Sequence, residues 1–172
     1  MTRERITKGA FLVLGRAGLD LYADPPGTHI EDARAFFPAL GGSAANIASA
    51  ITRLGSHASL VTTVSDDAVG RYVVSELKHY GVATDHVRRI KGEERTSLAV
   101  VETRAENCQS VLYRNNAADF ALTKDDVAAL HYQSAAALIV TGTSLAIEPT
   151  RVRVLWLQNS RRVTAQSPRT SL

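Results

Sequence analysis

Short apolar runs alternate with segments of helical periodicity over the first half of the chain, and no other feature limits the fold as strongly. The runs AFLVLG (residues 10–15) and ASLVTTV (residues 58–64) predict buried strands. Each is followed by a predicted amphipathic helix, SAANIASAITRLG (residues 43–55) and DDAVGRYVVSELKHYG (residues 66–81). The order strand, helix, strand, helix predicts a parallel sheet covered by helices.

The first helix has a marked apolar face, with Ser43 expected as its N-cap and Gly55 as the glycine that ends it. The apolar residues recur at the i, i+3, i+4, i+7 spacing of an α-helix: Ala44, Ile47, Ala48, Ile51 and Leu54. Gly41 and Gly42 precede this helix, although a helix used only for packing has no need of such an entrance. We therefore expect a ligand to approach the backbone there.

The middle of the chain changes character. HVRRI (residues 86–90), TSLAVVET (96–103) and QSVLYR (109–114) are predicted strands, the last two as a hairpin or as neighbours in a sheet. TKDDVAALHY (123–132) begins with Thr123 and Asp126 at the spacing of a capping box and predicts a short helix. ALIVTG (137–142) predicts a further buried strand of the parallel sheet.

Length and composition indicate a single globular domain. The 172 residues are 45% hydrophobic and 22% charged, and no apolar run approaches the roughly 20 residues that a membrane helix needs. The N-terminal apolar stretch is short and no signal cleavage site follows it, so we expect a cytoplasmic protein without a membrane partner. Cys108, the single cysteine, is assigned no role.

The formal net charge of +3 arises at the C-terminal end rather than in the body of the protein. Five arginines follow Pro149 without any acidic residue: Arg151, Arg153, Arg161, Arg162 and Arg169. Without them the acidic residues outnumber the basic ones, so no nucleic-acid partner is expected. We interpret residues 1–157 as the folded part and residues 158–172 as an aberrant basic tail that is disordered.

Polar residues at the ends of predicted strands are the candidates for a binding site. Asn46 lies in the first turn of the predicted helix, where hydroxyl groups or an anion could bind. Asp20 lies just beyond the first predicted strand and could accept hydrogen bonds from hydroxyl groups. Arg114 and Asn116 follow the predicted strand 109–114. The alternative is that Asn46 and the cluster after this strand only fix turns, and that Asp20 is a capping or solvated residue. The five histidines lack ligand spacing, so no metal site is predicted.

These segments together resemble the ribokinase-like, or PfkB, family of carbohydrate kinases. The likeness rests on GGSAANIASAITRLG with the following SDDAVG, on the Asp20 segment, on YRNNAAD and on TGTSLA, and it covers roughly residues 10–150. GRAGLDLYAD, GGSAANIA and YRNNAADFAL most resemble the 5-dehydro-2-deoxygluconokinase subfamily of inositol breakdown. A dinucleotide loop at Gly15 and Gly18 is a weak alternative, since the third glycine of that motif is missing.

The resemblance implies an α/β fold with a ribokinase-like parallel sheet, a small β lid and transfer of a phosphoryl group from magnesium-bound ATP to a sugar or sugar acid. It implies that Asp20, Gly41, Gly42 and Asn46 bind sugar hydroxyls, that Arg114 reaches the substrate in keto-acid kinases, and that Asn116 is a weaker candidate. The segments around HVRRI, TSLAVV and QSVLYR would form part of the lid, through which two subunits could pair.

The resemblance also implies that half of the kinase is missing. The catalytic base and the phosphate cradle of the family come from a Gly-Ala-Gly-Asp motif in the C-terminal half, and this chain has no such sequence. We expect the chain to be truncated before that half, to have no catalytic base, to bind ATP and magnesium poorly and to be inactive alone. The alternative function is a non-catalytic sugar-binding or dimerising module.

Overall fold

The computed structural model describes residues 9–144, which form two four-stranded sheets and three α-helices. The strands and α-helices in chain order are β1 (Phe11–Leu14), β2 (Gly18–Asp24), β3 (Ala35–Gly41), α1 (Ser43–Arg53), β4 (Ala58–Ser65), α2 (Ala68–His79), β5 (Val87–Ile90), β6 (Leu98–Val101), β7 (Ser110–Tyr113), α3 (Lys124–Ala128) and β8 (Ala137–Val140). Short 3₁₀ turns lie at Ile30–Asp32, Ala118–Ala121, Tyr132–Ser134 and Gly142–Ser144. The predicted end of the folded part at residue 157 and the predicted tail 158–172 fall outside the described residues.

The main sheet is parallel, with the strand order β5-β4-β1-β8, and confirms the predicted fold class. Successive residues of β1 pack on opposite faces of this sheet. Val13 belongs to the core beneath α1 and α2, whereas Leu12 and Leu14 pack with the segment that contains α3. Such two-sided burial explains why β1 is a continuous apolar run rather than an alternating one.

Helix α1 packs on the main sheet through alanines. Gly55 ends it at positive φ as predicted, but its predicted N-cap needs correction. Gly42 is the N-cap and Ser43 the first helical residue, because the Gly42 carbonyl already accepts the Asn46 N–H at 2.9 Å. The helix stops at Arg53, so Leu54 leaves the predicted apolar face and is 84% exposed. Among the described residues, no helix combines the length and apolar character needed to cross a membrane.

The second sheet, which we call the lid sheet, has the strand order β3-β2-β6-β7. β2 and β3 pair antiparallel from Gly18↔Gly41 to Asp24↔Ala35, and the sequence analysis did not predict either strand. β6 and β7 lie in the lid sheet as expected. β5 does not, because it pairs in parallel with β4, starting at Thr62↔Val87, and thereby extends the main sheet.

Candidate functional site

The carboxyl ends of β1 and β8 and the start of α1 meet at one edge of the main sheet. The loop after β8 is bonded to the end of β1, since the Thr141 N–H donates to the Leu14 carbonyl at 3.0 Å. Ser43 faces the same loop, with its Oγ 3.5 Å from Thr143 Oγ1. Ligands of open α/β sheets bind outside the carboxyl ends of the strands, so this edge is where a site is expected.

Asp20 lies on β2 of the lid sheet, opposite Ala39 of β3. Its Oδ1 atom is buried and has no hydrogen-bond partner among the described residues. Burial raises the pKa of the Asp20 carboxyl, and the positive charge of Arg16 opposes this rise. A buried carboxylate oxygen without a donor is unfavourable, and the hydroxyl group of a bound ligand would supply the missing donor.

Gly41 and Gly42 are glycines in a place where neighbouring atoms leave no room for a side chain. A Cβ atom at Gly41 would lie 2.0 Å from Asp20 Oδ1, and one at Gly42 would lie 2.3 Å from the Arg16 carbonyl oxygen. Gly42 also has a φ of 99°, which disfavours any residue with a Cβ. The glycine pair therefore lets Asp20 and the loop after β1 pack against the entrance of α1.

Arg114 forms a buried ion pair with Asp119, a residue that the sequence analysis did not single out. The Arg114 Nη2 atom is 2.5 Å from Asp119 Oδ2 and 2.8 Å from the Thr143 carbonyl oxygen. The guanidinium also lies over the Phe120 ring, 4.5 Å from its centroid. Arg114 Nε and Asp119 Oδ1 are nevertheless buried without a hydrogen-bond partner in the described part of the chain. This ion pair therefore keeps one unused donor and one unused acceptor.

Arg16 is a second residue of the candidate site that is not predicted from the sequence. It follows β1, is 9% exposed and donates from Nη1 to Ser97 Oγ at 2.9 Å. Burial lowers the pKa of Arg16, and the charges of Asp20, Arg114 and Asp119 also act on it. Its position at the carboxyl end of a buried parallel strand is the signal that could have identified it.

Asn46 and Asn116 lie farther out than the other predicted residues. Asn46 is on the exposed face of α1 and lines a groove of about 230 Å³ together with Arg53 and Tyr80. Asn116 is exposed at a turn with a φ of 48°, and its carbonyl accepts the Arg95 N–H at 3.4 Å. The structure thus places Asp20 against Gly41 and leaves both asparagines exposed. Asp20 and Arg114 are each near enough to Arg16 for their charges to affect its pKa.

Within residues 9–144 one group of side chains could ligate a metal, in the loops beside the lid sheet: His29, Glu31 and Glu102, whose ligating atoms lie within 4.8 Å of one another. Arg104 Nη1 is 3.2 Å from His29 Nδ1 and 3.4 Å from Glu102 Oε2. The Gln109 N–H also donates to Glu102 Oε2 at 3.0 Å. Because a guanidinium already lies against two of the three side chains, the group joins the lid loops, and we assign no metal to it.

Comparison with known proteins agrees with this architecture. Residues 10–166 match the model of the pfkB family carbohydrate kinases. The 5-dehydro-2-deoxygluconokinase of Photobacterium profundum is 38% identical over 88% of this chain and 46% of its own length, and that of Geobacillus thermodenitrificans is 36% identical over the same shares.

A solved structure gives the same result for the fold. The fructokinase with bound ATP from Xylella fastidiosa superimposes with a TM-score of 0.75 at 27% identity, over 92% of this chain and 49% of that one. The chain therefore spans about half the length of the relatives it matches. With the family model matched over nearly all of its residues, the chain belongs to the pfkB family of carbohydrate kinases.

Proposed function

We propose that this chain is the sugar-binding part of an ATP-dependent carbohydrate kinase whose substrate is 5-dehydro-2-deoxygluconate. The observation that carries the proposal is the set of buried polar atoms without partners on Asp20, Arg114 and Asp119. Asp20 and Asp119 supply acceptors and Arg114 supplies a donor, a combination suited to a ligand with several hydroxyl groups and an acidic or keto oxygen. The substrate itself is taken from the names of the curated relatives.

In this proposal each residue has a separate role. Asp20 accepts hydrogen bonds from sugar hydroxyls, while Gly41 and Gly42 keep the carboxylate at the entrance of α1. Arg114 donates to a carboxylate or keto oxygen of the substrate. Asn46 and Asn116, both exposed, contribute only when the lid sheet closes over the ligand and excludes water.

In this proposal ATP and magnesium bind mainly to the half of the kinase that lies outside the share of the relatives which this chain spans. They would supply the γ-phosphoryl group and the charge neutralisation for its transfer. The residues of this chain do not provide the expected base, since no Gly-Ala-Gly-Asp sequence is present. The chain binds and orients the sugar, and we expect it to transfer no phosphoryl group by itself.

Calorimetric titration of the purified chain with 5-dehydro-2-deoxygluconate tests this function. We expect measurable binding that Asp20→Asn weakens at least tenfold, because a neutral amide replaces the acceptor of the sugar hydroxyls. Asp24→Asn is the matched control, since Asp24 is an exposed residue at the other end of the same strand. Equal losses in both variants, or no binding by the unchanged chain, would contradict the proposed sugar site. Phosphorylation by the chain with magnesium-ATP alone would contradict its inactivity.

The lid sheet favours a second function, pairing of two chains. Its edge strands expose apolar side chains on β3 and β7: Phe36, Phe37, Val111, Leu112 and Tyr113. Phe37 is the most exposed of them at 68%. Exposed apolar side chains on sheet edges favour association with a second copy.

Sedimentation equilibrium tests this pairing. We expect a dimer that Phe37→Asp converts to a monomer. Leu54→Asp should leave the dimer intact, because Leu54 is also apolar and even more exposed than Phe37 but lies at the end of α1. A monomeric unchanged chain, or a dimer in the Phe37→Asp variant, would refute pairing through the lid sheet.

A further inference from the structure

Arg16 has an unusual environment for a buried arginine. It is 9% exposed, yet among residues 9–144 no carboxylate oxygen lies within 4 Å of its guanidinium, and its one side-chain hydrogen bond is to the neutral hydroxyl of Ser97. Arg114, by comparison, has the Asp119 carboxylate at 2.5 Å. Burial of a guanidinium without an anionic partner is unfavourable, so a feature of this kind calls for a compensating anion.

The fold holds the Arg16 side chain in this position. A Cβ atom at Gly18 would lie 3.0 Å from Arg16 Nη1 and 2.6 Å from the Ser97 carbonyl oxygen, so the glycine leaves space for the guanidinium beside β2. Ser97 immediately precedes β6, which pairs with β2. Arg16 therefore extends from the end of β1 to the base of the lid sheet, beside the strand that carries Asp20.

The charges around Arg16 do not complete an ion pair. Asp20 and Asp119 attract Arg16 from more than 4 Å, while the like charge of Arg114 repels it. Asp119 is already engaged by Arg114. A ligand that placed an anionic group near both arginines would compensate the charge of Arg16 and accept from the unused Nε of Arg114. A guanidinium binds a carboxylate with two parallel hydrogen bonds.

We propose that Arg16 is a specificity residue that binds the carboxylate of an acidic sugar, together with Arg114. This inference rests on the proposed sugar-binding function and deepens it, because it names the group by which the site distinguishes a sugar acid from a neutral sugar. Asp20 then binds the hydroxyl groups of the same ligand, and the two arginines determine which end of the ligand enters the site.

The structural alternative is that Arg16 only joins the loop after β1 to the lid sheet through Ser97. Ser97→Ala removes this hydrogen bond and keeps the guanidinium, so it is the matched control for Arg16→Gln. Arg16→Lys keeps a positive charge without the planar pair of donors and should retain part of the selectivity. Melting temperatures of the three variants show that each one folds.

The experiment measures the affinity of each variant of the 172-residue chain for 5-dehydro-2-deoxygluconate and for the neutral sugar D-fructose. Loss of a charge-assisted hydrogen bond predicts that Arg16→Gln weakens binding of the acid by about 10- to 150-fold. Binding of fructose should change less than about threefold, and Ser97→Ala should change neither affinity by more than that. Arg16→Lys should fall between Arg16→Gln and the unchanged chain.

Three results would overturn the inference. Unchanged affinity of Arg16→Gln for the acid would show that Arg16 does not contact it. Equal weakening of both ligands by Arg16→Gln and by Ser97→Ala would show a purely structural role, with sugar binding itself intact. Failure of the unchanged chain to bind either ligand would refute the proposed function and the specificity role together.

Discussion

Single substitutions of the glycine pair before α1 separate two effects on stability: the steric clash of an added Cβ atom with its neighbours, and the strain of a positive φ. Gly42→Ala places a Cβ atom 2.3 Å from the Arg16 carbonyl oxygen and 2.9 Å from Ala17 Cα, both backbone atoms. Gly41→Ala places one against the Asp20 carboxylate, which is the end of a side chain and can rotate away. Gly55→Ala is the control, because Gly55 has a φ of 83° but no atom within 4 Å of its Cβ position.

The magnitudes follow from these three environments. A residue with a Cβ at positive φ costs about 1–2 kcal/mol, which is the whole effect expected of Gly55→Ala. Gly42→Ala adds overpacking against the backbone, about 1–3 kcal/mol, for a total of about 2–5 kcal/mol. Gly41→Ala forces a new rotamer on Asp20 at about 0.5–1.5 kcal/mol. Its stability loss is therefore the smallest, but the site loses its correctly placed carboxylate.

Thermal unfolding followed by circular dichroism measures the stability, and calorimetric titration with 5-dehydro-2-deoxygluconate measures the site. For a domain of this size about 1 kcal/mol shifts the melting temperature by roughly 2–4 °C, so Gly42→Ala should melt at least roughly 2 °C below Gly55→Ala. Gly41→Ala should melt above both and lose sugar binding. A Gly42→Ala variant as stable as Gly55→Ala would refute the conclusion that the loop after β1 is rigidly packed against α1.

Three further predictions test individual contacts. Arg114→Met should destabilise the fold by about 3–5 kcal/mol in urea titrations, because Asp119 stays buried without a cation. The double variant Arg114→Met with Asp119→Leu should recover most of this lost stability. Burial alone would raise the pKa of Asp126, but hydrogen bonds from Arg88 and Thr123 outweigh burial and lower this pKa. The ionised Asp126 therefore stabilises the fold above about pH 4, and this stabilisation is lost as the pH falls through the lowered pKa. Asp126→Asn should flatten this acid dependence in urea titrations at stepped pH, and an unchanged slope would contradict it. Thr123→Ala should cost about 1 kcal/mol by removing the capping box, while Thr123→Ser should retain it in the same titration.

The parallel sheet and its helices could be predicted because local patterns determine them. Gly55 and Gly81 end their helices at positive φ, and Thr123 and Asp126 form the predicted capping box. β2 and β3 were missed for different reasons. β2 alternates apolar and polar residues, but Gly18 and the following Pro25 and Pro26 give the segment the character of a loop. β3 contains Pro38, which argues against a strand unless the strand lies at the edge of a sheet, as β3 does.

The candidate site was harder to predict because its contacts join distant segments. Asp20 and Arg114 could be selected from their positions beside predicted strands and from the family resemblance. The hydrogen bond from Arg16 to Ser97 spans 81 positions, and no local pattern indicates it. Asp119 follows Arg114 by only five positions, but its choice as the partner depends on the turn between them.

The placement of β1 in the middle of the main sheet has a consequence for synthesis of the chain. One side of β1 pairs with β4, but its other side pairs with β8, from Phe11↔Ala137 to Leu14↔Val140. At roughly 5–20 residues per second, a ribosome needs about 6–25 s to make the intervening segment. During this time the apolar strand β1 has one row of backbone amides and carbonyls without a partner strand. A chaperone that binds extended apolar segments should therefore bind the nascent chain before β8 emerges and release it afterwards.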